Sequence, residues 1–313
     1  MFGKRGSRSD GGTPPIGARM LAMPRPRYPS VHKPKGVPDS HPLLVEARPL
    51  ILSRARAVIS WTPKAACTQV VMWFLHLEGL LDAALYYRPW PHDFRGDVYY
   101  NSAVYHRRAR ELAEARARGY TLIRITRDPV ARLVSIYRHA LRTGFHAPEL
   151  DAALGRDTRA TGVSMEDFGT SLIGRNLYSP SEVNMHLLAQ THPIWDLPFD
   201  RGIALNADDC DLSAGLNLIA QDLGLAQTDF VGIPAFGRIA ARHNAPDNGA
   251  AADPQRFHMP LNNVMGEAFP KSALRSDPRV VSLAETLHGR DFGAVDSHDS
   301  AGRLHFPHRR RRI

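Results

Sequence analysis

Twice in this chain an apolar, β-leaning run ends in a short cationic loop and passes at once into a helix-periodic stretch. The first unit is AVISW, then TPKAAC, then TQVVMWFLHLEGLLDAAL, with apolar residues on nearly every turn. The second is YTLIRIT, then RDPVARLVSIYRHALRTG, where Asp128 can cap the helix, Pro129 takes its first position and Gly144 stops it. Runs of this kind, alternating in period from 2 to 3.6, predict parallel strands joined through helices. The expected fold is α/β: a single domain with a central, mostly parallel sheet flanked by helices. In such sheets ligands lie beyond the carboxyl ends of the strands, where both cationic loops fall.

The rest of the chain fits that plan. RRARELAEARARG reads as a charged helix stopped by Gly119, and SPSEVNMHLLAQ as a helix capped near Ser179 or Ser181. FDRGIALN is a strand, DLSAGLNLIAQDLG a helix ended by Gly224, and DPRVVSLAETLHGRDF a last helix after a proline- and asparagine-rich loop at about 232–264. Residues 82–105 and 145–178 read as variable loops. The boundaries are a basic, Pro/Gly-rich, flexible segment at 1–50, a folded domain at 51–300 and a basic tail at 301–313.

Charge placement narrows the partners. The net charge is +9, but residues 1–50 carry nine Lys/Arg against three acidic residues and Arg309 to Arg312 add four more. The body between them has 27 basic and 28 acidic residues and is neutral, so an anion site inside it must be local. No nucleic-acid partner is expected of the body, although the basic tails suit peripheral contact with an anionic membrane. No apolar stretch is long enough to span a bilayer, no signal-peptide core follows the basic start, and two cysteines make no disulfide framework. These features predict a cytoplasmic protein with reduced thiols.

The first loop sets Lys64 and Thr68 at a helix start, where unpaired N–H groups and the helix dipole favour a phosphate or sulfate. The second sets Arg127 at a strand end, with Ser135 eight residues on and Arg132 and Arg138 near it. An arginine gives a planar two-point grip on a phosphate and a serine a further donor. One ligand with two separated anionic groups would use both loops. The first loop lacks the glycines of a Walker loop, and its neighbour Cys67 reads as a small filler rather than a nucleophile.

PKAACT after a strand, followed by IRITRDPVARLVSIYR, resembles sulfotransferases that use 3′-phosphoadenosine 5′-phosphosulfate, especially the carbohydrate-type branch. NMHLLAQ resembles that family's H-x-x-x-Q segment. FDRGIALNADDCDLSAGLNLIAQDLGL resembles the following strand, loop and helix, with Asn206 where an acidic residue is usual. RHNAP and LHGRDFGAV resemble its last loop and terminal Asp-Phe helix. The resemblance spans about 55–295. It implies a P-loop-NTPase-like sulfotransferase fold, with 3′-phosphoadenosine 5′-phosphosulfate as sulfuryl donor and no required metal. The acceptor would be a hydroxyl of a sugar, glycolipid or similar small molecule. By position, Lys64 would steady the bridging oxygen, surrounded by Thr62, Pro63, Ala65, Ala66, Cys67 and Thr68, while Arg127 and Ser135 would hold the 3′-phosphate.

The acceptor needs a base. His186, with Gln190 one helical turn beyond it, and His106, between the two loops, are the candidates, and Glu78 and Asp93 are weaker ones. Tyr86, Tyr87, Trp90, Tyr99 and Tyr100 suit either stacking on a sugar or ordinary packing. Two other classes remain open at this point. A kinase-like transferase would need a magnesium-binding acid after a strand, and a non-catalytic anion- or nucleic-acid-binding protein would use the basic tails.

Overall fold

The computed structural model describes residues 36–38, 41–243, 254–262 and 269–296. The start of the chain up to residue 35, Asn244 to Pro246 of the expected last loop, and the tail from 301 lie outside the described residues.

In chain order the regular elements begin with β1 (Leu50–Leu52), β2 (Ala57–Ser60), α1 (Cys67–Leu77), α2 (Leu81–Tyr87), α3 (Pro91–Phe94) and α4 (Ala103–Glu114). They continue with β3 (Thr121–Thr126), α5 (Pro129–Thr143), α6 (Ala147–Leu154), α7 (Thr158–Thr161) and α8 (Met165–Thr170). The last are β4 (Arg201–Asn206), α9 (Leu212–Asp222), α10 (Pro234–His243), α11 (Lys271–Ser276) and α12 (Pro278–Asp296). One sheet runs in the order β1-β2-β3-β4. β1 pairs antiparallel with β2, Leu50 opposite Ile59, and β2, β3 and β4 are parallel. Ser60 stands opposite Arg124, and Thr126 opposite Asn206. The three parallel strands therefore end at one edge, which brings together the loops after Ser60, Thr126 and Asn206.

Every residue of β1 and β2 is buried, as expected of strands covered on both faces. α1 hides eight of its eleven residues, Trp73 and Phe74 among them, and belongs with the strands to one core cluster. A second cluster is built on α5 and α12, with Leu133, Tyr137, Phe168, Phe269 and Leu274. α8 meets α12 at Gly169, where a Cβ would lie 2.1 Å from the end of the Leu283 side chain, which would have to shift to admit one.

Several expectations are corrected. The folded body reaches back to His41: Leu43, Ala47 and Leu50 are core residues, and Tyr105 and Tyr100 donate to the carbonyls of Leu43 and Arg48. The long apolar stretch after the first loop is two helices, broken at Gly79 (φ 71°). Helices occupy much of 82–105 and 145–178, and α10 lies within the loop expected at 232–264. The segment 179–190 is not a helix. Pro180 interrupts it, the Asn184 side chain accepts from the His186 N–H in a local turn, and the Ala189 and Gln190 N–H groups bond to Leu177 and Asp291. His186 and Gln190 therefore share no helical face.

Buried imidazoles make the fold acid-sensitive. Burial lowers the pKa of His192 to about 4 and that of His288 to about 3, the second helped by the Arg132 charge. The unfolded chain takes up these protons below about pH 6.5 while the fold refuses them until far lower pH. The sign is therefore loss of stability as pH falls from about 6.5 towards 4, by up to about 1.4 kcal/mol per pH unit for each histidine. Urea unfolding at pH 7, 6 and 5 checks this, and a midpoint constant over that range would refute it.

Candidate functional site

The loop 61–66 makes its turn without glycine. Lys64 (φ 71°) and Ala66 (φ 55°) both sit in the left-handed region, a strained choice that non-glycine residues keep where surrounding structure enforces it. Ala66 leads into α1 with no side-chain cap and no acidic residue in the first turn. The N–H groups of Ala66, Cys67 and Thr68 accordingly make no hydrogen bond among the described residues. α5 is built the opposite way. Pro129 removes one donor at its start and the Asp128 carboxylate accepts from Ala131 N at 2.6 Å. One helix start is closed by the protein itself and the other is left open.

Both loops meet in one cavity of about 460 Å³. Lys64, Ala66, Cys67, Thr68 and Gln69 line it from the first loop, and Arg127, Ser135 and Arg138 from the second. Arg142, Lys271 and Arg275 bring the lining cations to six, against the carboxylates of Asp208 and Asp211. Lys64 is half-buried, and its ammonium has no hydrogen bond or ion pair among the described residues. Desolvation lowers its pKa to about 8, with Arg142, Arg127 and Arg138 pushing the same way and Cys67 opposing. The Ser135 hydroxyl also has no hydrogen-bond partner among the described residues. Thr62, Pro63 and Ala65 are buried beneath the loop and do not line the cavity.

Arg127 is held on three sides. Its backbone N–H donates to Gln190 Oε1 and its carbonyl accepts from Gln190 Nε2, both at 2.8 Å. Its Nε donates to Asp208 Oδ2 at 3.0 Å, a second nitrogen approaches Oδ1 at 3.4 Å, and a third donates to the Lys64 carbonyl at 3.2 Å. Asp208 also accepts from the Asp128 N–H and lies 3.7 Å from Arg275. Asn206 is thus not the end of the acidic signal: the carboxylate stands two residues later, after the strand has turned. Its oxygens are engaged by Arg127, by Arg275 and by the Asp128 N–H.

The base candidates fall apart spatially. His106 bonds the Tyr100 carbonyl at 3.0 Å, Glu78 holds Ser53 in the β1–β2 turn, and Asp93 pairs with Arg88; none lines the cavity. His186 packs edge-on to His139, a cavity residue, with ring centroids 4.4 Å apart. Burial, then the charges of Lys64, Arg132 and Arg95, lower its pKa to about 4, and its Nδ1 has no partner. Gln190 clamps Arg127 and orients no base. Tyr99 and Tyr100 are core residues, whereas Tyr86 is exposed. Sequence reasoning missed His92, whose Nε2 lies 3.1 Å from Thr68 Oγ1. Its only signal was its place beside Asp93 in an aromatic-rich stretch. Comparison of the chain with protein-family models, curated proteins and solved structures finds no match.

Asp208 sets a negative charge inside a cationic cavity, so its neutral isostere should bind anions more tightly. Asp208→Asn keeps an oxygen for Arg127 and removes the repulsion, a gain of about 1 kcal/mol, or roughly fivefold. Calorimetry with inorganic pyrophosphate measures it, and weaker binding would mean that orienting Arg127 outweighs the repulsion.

Proposed function

We propose that the protein is a sulfotransferase of P-loop-like sulfotransferase fold, moving a sulfuryl group from 3′-phosphoadenosine 5′-phosphosulfate to a hydroxyl of a sugar, glycolipid or similar acceptor. The observation that carries this reading is the shared cavity. An open helix start with an unpaired lysine faces the same 460 Å³ space as Arg127 and Ser135. That arrangement suits one ligand with two anionic ends. The phosphosulfate would take the α1 start, Lys64 and Thr68, and the 3′-phosphate would take Ser135 and the outer edge of Arg127.

In the reaction the acceptor oxygen bonds to sulfur as the bond from sulfur to the bridging oxygen breaks. The electron pair leaves with the phosphate, giving adenosine 3′,5′-bisphosphate. Lys64 and the α1 N–H groups stabilise that growing charge where it appears, as preorganised donors do in phosphoryl transfer. The acceptor proton goes to a base, for which His186 is the candidate: it does not line the cavity itself but packs against the cavity residue His139, with a buried, unpartnered Nδ1. Two cysteines outside any disulfide, Cys67 and Cys210, fit a reducing, cytoplasmic setting. The basic tails are left for peripheral membrane contact.

Lys64→Ala should leave a folded protein with less than about a tenth of the transfer rate, a barrier increase above roughly 1.4 kcal/mol. In the wild type, affinity for the bisphosphate should fall as pH rises through about 8, where Lys64 loses its charge, and Lys64→Ala should flatten that fall. A variant retaining the fall would remove Lys64 from the site.

The 3′-phosphate separates this reading from an ATP-using one. Adenosine 3′,5′-bisphosphate should bind roughly ten- to a hundredfold more tightly than adenosine 5′-phosphate, the value of a charge-assisted arginine contact of about 1.5–3 kcal/mol. Arg127→Ala should erase most of the difference, and Arg127→Lys should restore only part because a point charge cannot reproduce the fork. Equal affinities in the wild type, by calorimetry, would overturn the sulfotransferase reading.

A further inference from the structure

We propose that His92 is a positioning residue that turns the Thr68 hydroxyl into a dedicated donor to the bound anion, through a one-way chain running from Arg95 to His92 to Thr68. The proposal rests on the reading of the α1 start as an anion site.

The direction of the chain follows from its first member. An Arg95 nitrogen lies 2.6 Å from His92 Nδ1, and a guanidinium has only donors. His92 Nδ1 must therefore accept with its lone pair, and a neutral ring then carries its proton on Nε2. Nε2 is 3.1 Å from Thr68 Oγ1, so it donates and the Thr68 oxygen accepts. The Thr68 proton has no acceptor among the described residues, not even the carbonyl one turn back, and Thr68 lines the cavity. The acceptors left to it come from outside the protein, water or an oxygen of a bound anion.

Arg95 is fitted to stay in place as the head of this chain. It is only 9% exposed, no carboxylate lies within ion-pairing distance among the described residues, and its guanidinium stacks on the Trp61 ring at 4.2 Å. A buried cation held on an aromatic face and offered no counter-ion sends its charge along the hydrogen bonds it makes. The rings of Trp61 and Trp90 pack against His92, with centroids 6.0 and 5.2 Å away. The same geometry removes His92 as the acceptor's base. Its one lone pair is spent on Arg95, and its proton points at Thr68.

Gln can reproduce the pair of functions, an oxygen for Arg95 and an N–H for Thr68, whereas Phe fills the ring volume and supplies neither. Calorimetry with adenosine 3′,5′-bisphosphate is run on wild type, His92→Phe, His92→Gln, Thr68→Val and the His92→Phe/Thr68→Val double variant. The expected result is roughly tenfold weaker binding in both single deletions, the loss of one strengthened hydrogen bond. The double variant should be no weaker than either, and His92→Gln should be near wild type. Wild-type affinity in His92→Phe, additive losses in the double variant, or a folded His92→Gln as weak as His92→Phe would each overturn the proposal. The ¹⁵N resonances of the wild-type imidazole give a test independent of any variant's folding: a proton on Nδ1 at neutral pH overturns the chain. If the wild type fails to bind the bisphosphate, the anion-site reading itself falls and this proposal with it. Binding with no His92 effect removes the relay alone.

Discussion

A buried ion pair underlies the placement of everything in the cavity. Arg132, 1% exposed, and Asp291, fully buried, face each other across α5 and α12 with 3.8 Å between charged atoms. Arg132 Nε donates to the Pro63 carbonyl, and another of its nitrogens to the Leu188 carbonyl. Asp291 accepts from the N–H groups of Gln190 and Thr191 and from the Thr191 hydroxyl. Desolvation lowers the Arg132 pKa to about 10, with Asp291 opposing, so the guanidinium stays charged at neutral pH. Such pairs add little net stability against a well-packed apolar replacement but are costly to break singly, by about 3–5 kcal/mol. The physical value of this one lies in position. It fixes the first loop through Pro63, and it fixes Gln190, whose amide then fixes Arg127.

The two helix starts show how a fold allocates its unpaired donors. Leaving a helix uncapped costs about 1 kcal/mol, and each left-handed non-glycine residue adds about as much. The loop before α1 accepts both costs at Lys64 and Ala66, while α5 is capped by Asp128. Other helices, α2, α3, α6 and α11, also start without a side-chain cap, and what sets α1 apart is that its open start lines the cavity beside Lys64. The contrast within one cavity points to the α1 start as the place where an anion from outside completes the structure.

The β2–α1, β3–α5 and β4–α9 units were legible because each pairs a short apolar run with a clear helix start or stop, such as Asp128 and Gly144 around α5. The meeting of Lys64 with Arg127 and Ser135 followed from parallel strands alone, since their ends share an edge. What escaped was set by distant contacts. Segment 179–190 has helical apolar spacing, yet its N–H groups find better acceptors on Asp291 and Leu177. Asp208 reads as one of three acids in ADDCD, and only the chain's turn after β4 aims it at Arg127. α10 was hidden by the proline and asparagine that surround it. Arg132 and Arg138 lie in one helical motif and look alike in sequence, but one is the buried strut and the other lines the cavity.

Electrostatics explains how a neutral body can build a strongly cationic cavity. The folded region carries no excess positive charge, so attraction cannot come from the whole molecule. It comes from gathering Lys64, Arg127, Arg138, Arg142, Lys271 and Arg275 around a single space. Crowding has a self-limiting side, since each cation raises the cost of its neighbours, and Lys64 shows it with a pKa near 8. Asp208 relieves that strain at Arg127 and Arg275. Lys64 has no carboxylate partner among the described residues, and its desolvation outweighs the opposing effect of Cys67. An anion beside Lys64 would restore the lysine's lost stabilisation and join the unpaired α1 donors in the same step. The cavity is therefore most unsatisfied at the Lys64 end and better balanced at the Arg127 end.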